Sequence, residues 1–139
     1  MIMKKSIWIK FILIGLVFAS CTTKGKMILN EKEKTITLEY GKFYKGAVTF
    51  DNPYLDDLYY LDYNGSINKI DLKDKLILRK YGGGKIITYY IQPNNKYRIR
   101  HNRGDQSSDF LYFITDSLNN IREITEEEWD YGSMPEKDK

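Results

Sequence analysis

Along most of the chain, hydrophobic and polar residues alternate in short runs that are interrupted about every ten residues. In residues 35–40, for example, Ile36, Leu38 and Tyr40 fall on one side of an extended strand. Such runs are rich in β-branched and aromatic residues, and Gly, Pro, Asn and Asp separate them. The runs are 35–40, 43–50, 58–63, 67–72, 76–81, 86–91, 96–101, 110–115 and 121–124. This pattern predicts an all-β fold, an antiparallel β-sandwich or small barrel of eight or nine short strands.

Two of the breaks predict tight hairpins. Asn64-Gly65 lies between the third and fourth runs, and both residue types adopt positive φ angles readily. Gly82-Gly83-Gly84 lies between the fifth and sixth runs and predicts a looser loop. We therefore expect each of these two pairs of runs to form an antiparallel hairpin.

The amino terminus has a different pattern. Residues 1–10 contain three lysines, and residues 11–18 form an unbroken apolar run. That run is too short to span a bilayer, which takes about 20 residues as a helix. It has the length of the apolar segment of a secretory signal peptide. We expect residues 1–20 to be an N-terminal signal helix that is removed.

The end of this segment carries a more specific motif. Phe18-Ala19-Ser20-Cys21 resembles the lipobox of bacterial lipoproteins, although leucine is usual where Phe18 stands. The resemblance implies that signal peptidase recognises Phe18, Ala19 and Ser20, and that Cys21 becomes lipidated. Because Cys21 is the single cysteine, no disulfide or thiol nucleophile is expected, and the covalent lipid is the only attached group. The alternatives are a plain secretory signal cut after Ser20 and an uncleaved anchor.

By the same resemblance, the residues after the lipobox indicate where the protein is anchored. Thr22 follows Cys21, whereas aspartate at that position is the familiar signal for inner-membrane retention. No acidic cluster of the kind that directs lipoproteins to the cell surface follows. We therefore expect an outer-membrane lipoprotein that faces the periplasm.

These signals divide the chain into four parts. Residues 1–20 are the signal peptide, and 21–33 are the lipidated cysteine and a flexible tether. Residues 34–125 are the β-sandwich domain. Residues 126–139 are an acidic C-terminal tail, in which Glu126–Trp129 could add a helical turn.

The charge balance argues against nucleic acid as a partner. The chain has 22 basic and 19 acidic residues, and three of the lysines lie in the segment that is removed. The remaining chain is therefore formally neutral. Proteins that bind nucleic acid depend on positive charge to neutralise phosphates.

The sequence contains few residues of the types that carry out catalysis. His101 is the single histidine, it lies among arginines, and its position predicts packing at a strand end. One histidine without a further cysteine cannot form the usual zinc sites. Asp56-Asp57, Asp62 and Glu126–Glu128 offer carboxylates, but no spacing selects a pair. We expect no catalytic residue and no metal.

Two groups of residues could form a binding face. Basic residues alternate along the run 96–101, so they share one side of a strand, either as a site for an acidic partner or as the solvated face of an edge strand. The edge interpretation is favoured. Adjacent tyrosine pairs place one ring on each face of a strand, which exposes a ring unless both faces are covered. The candidates are Tyr59, Tyr90, Lys96, Arg98, Arg100 and Arg103.

The sequence therefore favours a membrane-anchored, non-catalytic binding or assembly module that holds an envelope protein or glycan. One alternative is an inhibitor or immunity lipoprotein that inserts a loop into a toxin or lytic enzyme. A small carboxylate-dependent hydrolase and a purely structural envelope component also stay open.

Overall fold

A computed structural model describes residues 25–55, 57–103 and 107–131 of the 139-residue chain. The predicted signal peptide, the lipobox residues Phe18, Ala19 and Ser20, and Cys21 itself lie outside the described residues. What the lipobox implies for them stays a prediction.

The described residues form an antiparallel all-β fold, as the alternation predicts. They contain twelve strands and a single six-residue helix, α1 (Glu126–Tyr131). The strands are β1 (Met27–Asn30), β2 (Thr35–Leu38), β3 (Phe43–Tyr44), β4 (Val48–Asp51), β5 (Tyr59–Leu61), β6 (Ser66–Ile67), β7 (Lys69–Asp71), β8 (Leu76–Lys80), β9 (Ile86–Tyr89), β10 (Lys96–Asn102), β11 (Ser108–Thr115) and β12 (Ile121–Ile124).

There are more strands than the eight or nine expected, because two predicted runs divide at bends and β1 forms before the first run. The run 43–50, for instance, separates into β3 and β4 around Gly46, whose φ of 78° suits a residue without a Cβ atom.

Three sheets build the domain. A seven-stranded sheet has the order β12-β11-β10-β4-β5-β8-β9, a three-stranded sheet has the order β1-β2-β7, and β3 pairs with β6. Buried residues of all three sheets belong to one hydrophobic cluster, so the arrangement is sandwich-like. We call the side of the seven-stranded sheet that faces this cluster its inner face, and the opposite side its outer face.

Aromatic rings fill the centre of the core. Tyr97 of β10 is fully buried, its ring stacks on Phe113 at 5.1 Å between centroids, and Phe50 lies 5.4 Å away. His101, on the same side of β10, is also buried and contacts the ring of Phe43 edge-on at 5.2 Å. The predicted packing role of His101 is therefore confirmed.

The hairpin predicted at Asn64-Gly65 is wrong. The turn exists, with a φ of 69° at Gly65, but its two flanks belong to different sheets. β5 pairs with β4 and β8, whereas β6 and β7 pair with β3 and β2. The physical reason is that β5 joins the seven-stranded sheet, where Tyr59 and Leu61 are buried in the hydrophobic core, and this long-range packing overrides the local turn preference.

The hairpin around Gly82-Gly83-Gly84 is confirmed. β8 and β9 pair antiparallel over Leu76–Arg79 and Ile86–Tyr89. Gly82, with a φ of 76°, begins the loop that joins them.

Both predicted boundaries of the β domain need correction. Residues 27–30, assigned to the flexible tether, form β1; Met27 is buried and its amide donates to Asp109 Oδ2 at 2.7 Å. At the other end, α1 lies within the predicted tail, and its Trp129 is buried against Tyr112. In each case burial of one large apolar side chain, Met27 in the main core and Trp129 on the outer face, stabilises the added segment.

The described part of the chain contains no helix with the length and apolar character needed to cross a membrane.

Candidate functional site

The predicted basic face does not lie on an edge strand. β10 pairs with β4 on one side and with β11 on the other, so it is in the middle of the seven-stranded sheet. The edge interpretation is therefore wrong. The alternation itself is correct, because Lys96, Arg98 and Arg100 all lie on the outer face, opposite the buried Tyr97 and Ile99.

Lys96 and Arg98 are occupied by contacts within the domain. The Lys96 ammonium lies 4.7 Å from the centre of the Trp129 ring and donates to the Trp129 carbonyl at 2.9 Å. The Arg98 guanidinium lies 5.5 Å from the same ring and forms an ion pair with Asp51. These two cations therefore fasten α1 to the outer face, and they are half-buried beneath it.

The other candidates do not come together. Arg100 is exposed beside Phe110, and Arg103 forms an ion pair with Asp109 at 3.5 Å. Tyr90 is 54% exposed, after the end of β9. Tyr59 is buried on the inner face opposite Phe50, which corrects the expectation that its ring contributes to a binding face. No continuous basic and aromatic face is formed by the six residues.

A concave site lies instead where the turn after β4 meets the turn between β9 and β10. We call this site the amide cleft. Its volume is about 390 Å³, within the usual size range of small-ligand sites. Its lining consists of Asn52, Tyr54, Leu55, Tyr89, Gln92, Pro93, Asn94 and Asn95. None of these lining residues carries a formal charge.

Buried amides fix the floor of the cleft. Asn52 is 1% exposed, and its Nδ2 donates to Asn95 Oδ1 at 3.3 Å and to the Lys96 carbonyl at 2.9 Å. Asn52 Oδ1 accepts the amide of Tyr54 at 2.9 Å. Asn95 Nδ2 in turn donates to the Pro93 carbonyl at 2.7 Å. Both turns are thus held by one hydrogen-bonded unit.

Tyrosine hydroxyls support one wall of the cleft. The hydroxyls of Tyr89 and Tyr97 are 2.9 Å apart, and Tyr97 Oη accepts the amide of Gln92 at 2.8 Å. Burial raises the pKa of Tyr89 and the pKa of Tyr97 above the ordinary value of a tyrosine. Both hydroxyls are therefore protonated at neutral pH and act as neutral hydrogen-bonding groups.

The adjacent turn between β11 and β12 presents one apolar side chain. Leu118 is 78% exposed. The Asp116 carboxylate accepts the amides of Asn120 at 2.8 Å and Leu118 at 2.9 Å. These hydrogen bonds lower the pKa of the Asp116 carboxyl group, and those from Asn120 have the largest effect. Asn119 fastens the turn to the domain through its Nδ2, which donates to the Ile91 carbonyl at 3.1 Å.

Three of the carboxylates considered for hydrolysis pair with cations, each at a separate place. Asp62 contacts Arg79 at 3.3 Å, and Asp57 contacts Lys80 at 3.3 Å. Glu128 of α1 contacts Arg122 at 3.5 Å. Asp56 lies outside the described residues. Within the described ranges, no three His, Cys, Asp or Glu side chains are grouped so that they could hold a metal ion.

The sequence contains a signal for the amide cleft, but by itself this signal predicts only turns. Asn52-Pro53 and Pro93-Asn94-Asn95 are turn sequences, and Asn94 has a φ of 54° that asparagine tolerates. The two turns are neighbours because β4 pairs with β10, with Asp51 opposite Arg98. That pairing joins residues distant in sequence.

Comparisons of the chain with protein-family models, with curated proteins and with solved structures found no match.

Proposed function

We propose that the protein is a lipid-anchored, non-catalytic binding module of the bacterial envelope that holds a neutral, hydroxyl-rich ligand such as a glycan. The observation that carries the proposal is the amide cleft, which is concave, uncharged and lined by amides and tyrosines. Anchoring rests on the resemblance of residues 18–21 to a lipobox.

The chemistry of the lining favours this class of ligand. Gln92 is the exposed amide of the lining, and an amide side chain both donates and accepts hydrogen bonds, which matches a sugar hydroxyl. Asn52 and Asn95 are buried and bond to each other and to the backbone, so they shape the cleft. A tyrosine ring offers an apolar surface for the C–H face of a sugar ring. An ionic ligand would lose water in the cleft without gaining a counter-charge, at a substantial cost in free energy.

Rigidity supports binding rather than catalysis. Because Asn52 and Asn95 are locked to each other and to the backbone, little side-chain entropy is lost when a ligand binds. Among the described residues, the lining contains no histidine, lysine or carboxylate. A carboxylate-dependent hydrolase would need two carboxylates facing one cleft.

Calorimetric titration of the mature chain with Cys21→Ser tests the proposal, with N-acetylglucosamine oligomers as the probe. We expect saturable binding that Tyr54→Ala, in the cleft, weakens at least tenfold. Tyr44→Ala is the matched control, because its ring is 66% exposed and lies outside the cleft. Absence of binding, or equal loss in both variants, would contradict the proposal.

The second candidate, an inhibitor of a lytic enzyme, is favoured by the turn that presents Leu118. An exposed apolar side chain on a rigid turn can enter an apolar pocket at low entropic cost. The test is the rate of cell-wall hydrolysis by a lytic glycosidase with and without the protein. Inhibition that Leu118→Asp abolishes would support this candidate, and no inhibition by the wild type would exclude it for that enzyme.

A further inference from the structure

The two edges of the seven-stranded sheet differ in their protection. At the β12 edge, the Glu31 carboxylate accepts the backbone amide of Glu123 at 2.9 Å. Arg122 and Glu123 also place charges on that strand. Charged side chains and covered backbone groups are the usual means of preventing a further strand from adding to an edge.

Among the described residues, none gives the β9 edge comparable protection. Residues 86–92 contain neither a charged residue nor a proline, and four of them are β-branched. β9 pairs only with β8 within the described residues. Ile86, Thr88 and Tyr90, which alternate along the edge, are all exposed.

The backbone of β9 itself can accept another strand, whereas the Tyr90 carbonyl just after it already accepts Gln92 Nε2 at 2.9 Å. The Lys80 amide donates to the Lys85 carbonyl at 2.8 Å, which makes these two residues a hydrogen-bonded pair. In an antiparallel ladder, such pairs alternate with pairs that are not hydrogen-bonded. Ile87 therefore bonds to β8, and the N–H and C=O groups of Ile86 and Thr88 point toward the open edge.

We propose that β9 pairs antiparallel with β9 of a second copy of this chain, about a twofold axis at Thr88. The two seven-stranded sheets would then form one continuous sheet. Isologous twofold contacts of this kind are the commonest mode of self-association. The inference does not depend on the proposed ligand of the amide cleft.

The pattern of side chains along the edge is self-complementary in this register. With Thr88 opposite Thr88 of the second copy, Ile86 lies opposite Tyr90, and this contact occurs twice. Ile86 is 49% exposed and Tyr90 is 54% exposed, so both have surface to bury. Aromatic and aliphatic residues are favourable cross-strand partners.

The lack of charged residues along β9 also favours a second copy as the partner. Lys85 is the charged residue nearest to β9 along the sequence, and in this register it lies opposite Ile91. The two Lys85 residues are then separated by roughly 20 Å along the strands, well beyond the Debye length in physiological salt. An uncharged edge thus meets an uncharged edge.

The contact is small, because one strand pair buries less than about 1,000 Å², the size expected of a stable interface. We therefore expect weak association in solution. Attachment of both copies to one membrane would raise their effective concentration.

Cysteine crosslinking of the mature chain with Cys21→Ser tests both pairing and register. Hydrogen-bonded cross-strand partners have Cα atoms about 5.5 Å apart, within the range that a disulfide spans. We expect Thr88→Cys to form a disulfide-linked dimer at least tenfold faster than Leu118→Cys, a control whose residue is 78% exposed. A mixture of Ile86→Cys and Tyr90→Cys should crosslink, whereas each alone should not.

Thr88→Pro and Thr88→Lys complete the test by sedimentation velocity at high protein concentration. The Thr88 amide points away from β8, so proline should preserve the internal ladder and prevent dimerisation. Thr88→Lys, which places two positive charges together at the axis, should also give monomer. The proposal is overturned if Thr88→Cys crosslinks no faster than Leu118→Cys, or if both Thr88→Pro and Thr88→Lys dimerise as the wild type does.

Discussion

The side chain of Asn52 links the two turns of the amide cleft, so its removal should destabilise the whole domain. It is 1% exposed and makes three hydrogen bonds, two as donor and one as acceptor. In Asn52→Ala, the Lys96 carbonyl and the Tyr54 amide lose this partner. At about 1 kcal/mol for each hydrogen bond, the free energy of unfolding should fall by about 3 kcal/mol.

This loss is large compared with the total stability of a domain, which is about 5–15 kcal/mol. Urea unfolding followed by circular dichroism measures it directly. With an m value of about 2 kcal/mol per molar urea, the midpoint should fall by about 1.5 M.

Asn68→Ala is the matched control, because Asn68 is exposed and lies outside the amide cleft. Its midpoint should change by less than about 0.3 M, since exposed substitutions usually cost under about 0.5 kcal/mol. A cost below about 1 kcal/mol for Asn52→Ala would refute the argument that this amide holds the two turns together.

Three further predictions concern the core, the helix and the β12 edge. Tyr97→Phe removes the acceptor of the Gln92 amide, so unfolding free energy should fall by about 1–2 kcal/mol in urea titrations; an unchanged midpoint would contradict this. Trp129→Ala should cost about 3 kcal/mol in the same assay, because the ring is buried against Tyr112, whereas Glu127→Ala should cost little. Burial is the main cause that raises the pKa of Glu123, and repulsion from Glu31 and Asp109 raises this pKa further. Folding therefore favours its protonated form, and the wild type loses stability as pH rises through this raised pKa. Thermal melts should show Glu123→Gln stabilising at pH 7 but not at pH 3, and a stabilisation at pH 3 as large as at pH 7 would contradict the pKa argument.

Local sequence patterns predicted strands well where neighbours in sequence are also neighbours in space. β8 and β9 pair across their glycine loop because each strand finds its partner in the adjacent run. Asn64-Gly65 has an equally good turn sequence, but β5 pairs with β4 and β8, and Tyr59 and Leu61 are buried in the core there. Turn propensity is weak compared with burial of two large side chains.

The candidate site was less predictable because it depends on contacts between distant segments. Alternation correctly placed Lys96 and Arg98 on one face of a strand. It could not show that Trp129, about thirty residues later, covers them. In the same way, the amide cleft appears only when β4 and β10 pair and bring Asn52 beside Asn95.

The most direct test of the central claim, that the amide cleft binds a neutral glycan, is a ¹⁵N-resolved NMR titration of the mature chain with Cys21→Ser. N-acetylglucosamine oligomers should shift the backbone amide resonances of the non-proline lining residues, with saturation at a common affinity. These residues are Asn52, Tyr54, Leu55, Tyr89, Gln92, Asn94 and Asn95. Resonances of Tyr44 and Arg100, which lie outside the cleft, should stay unchanged. No saturable shifts in the cleft, or shifts centred on the outer face of the sheet, would contradict the account.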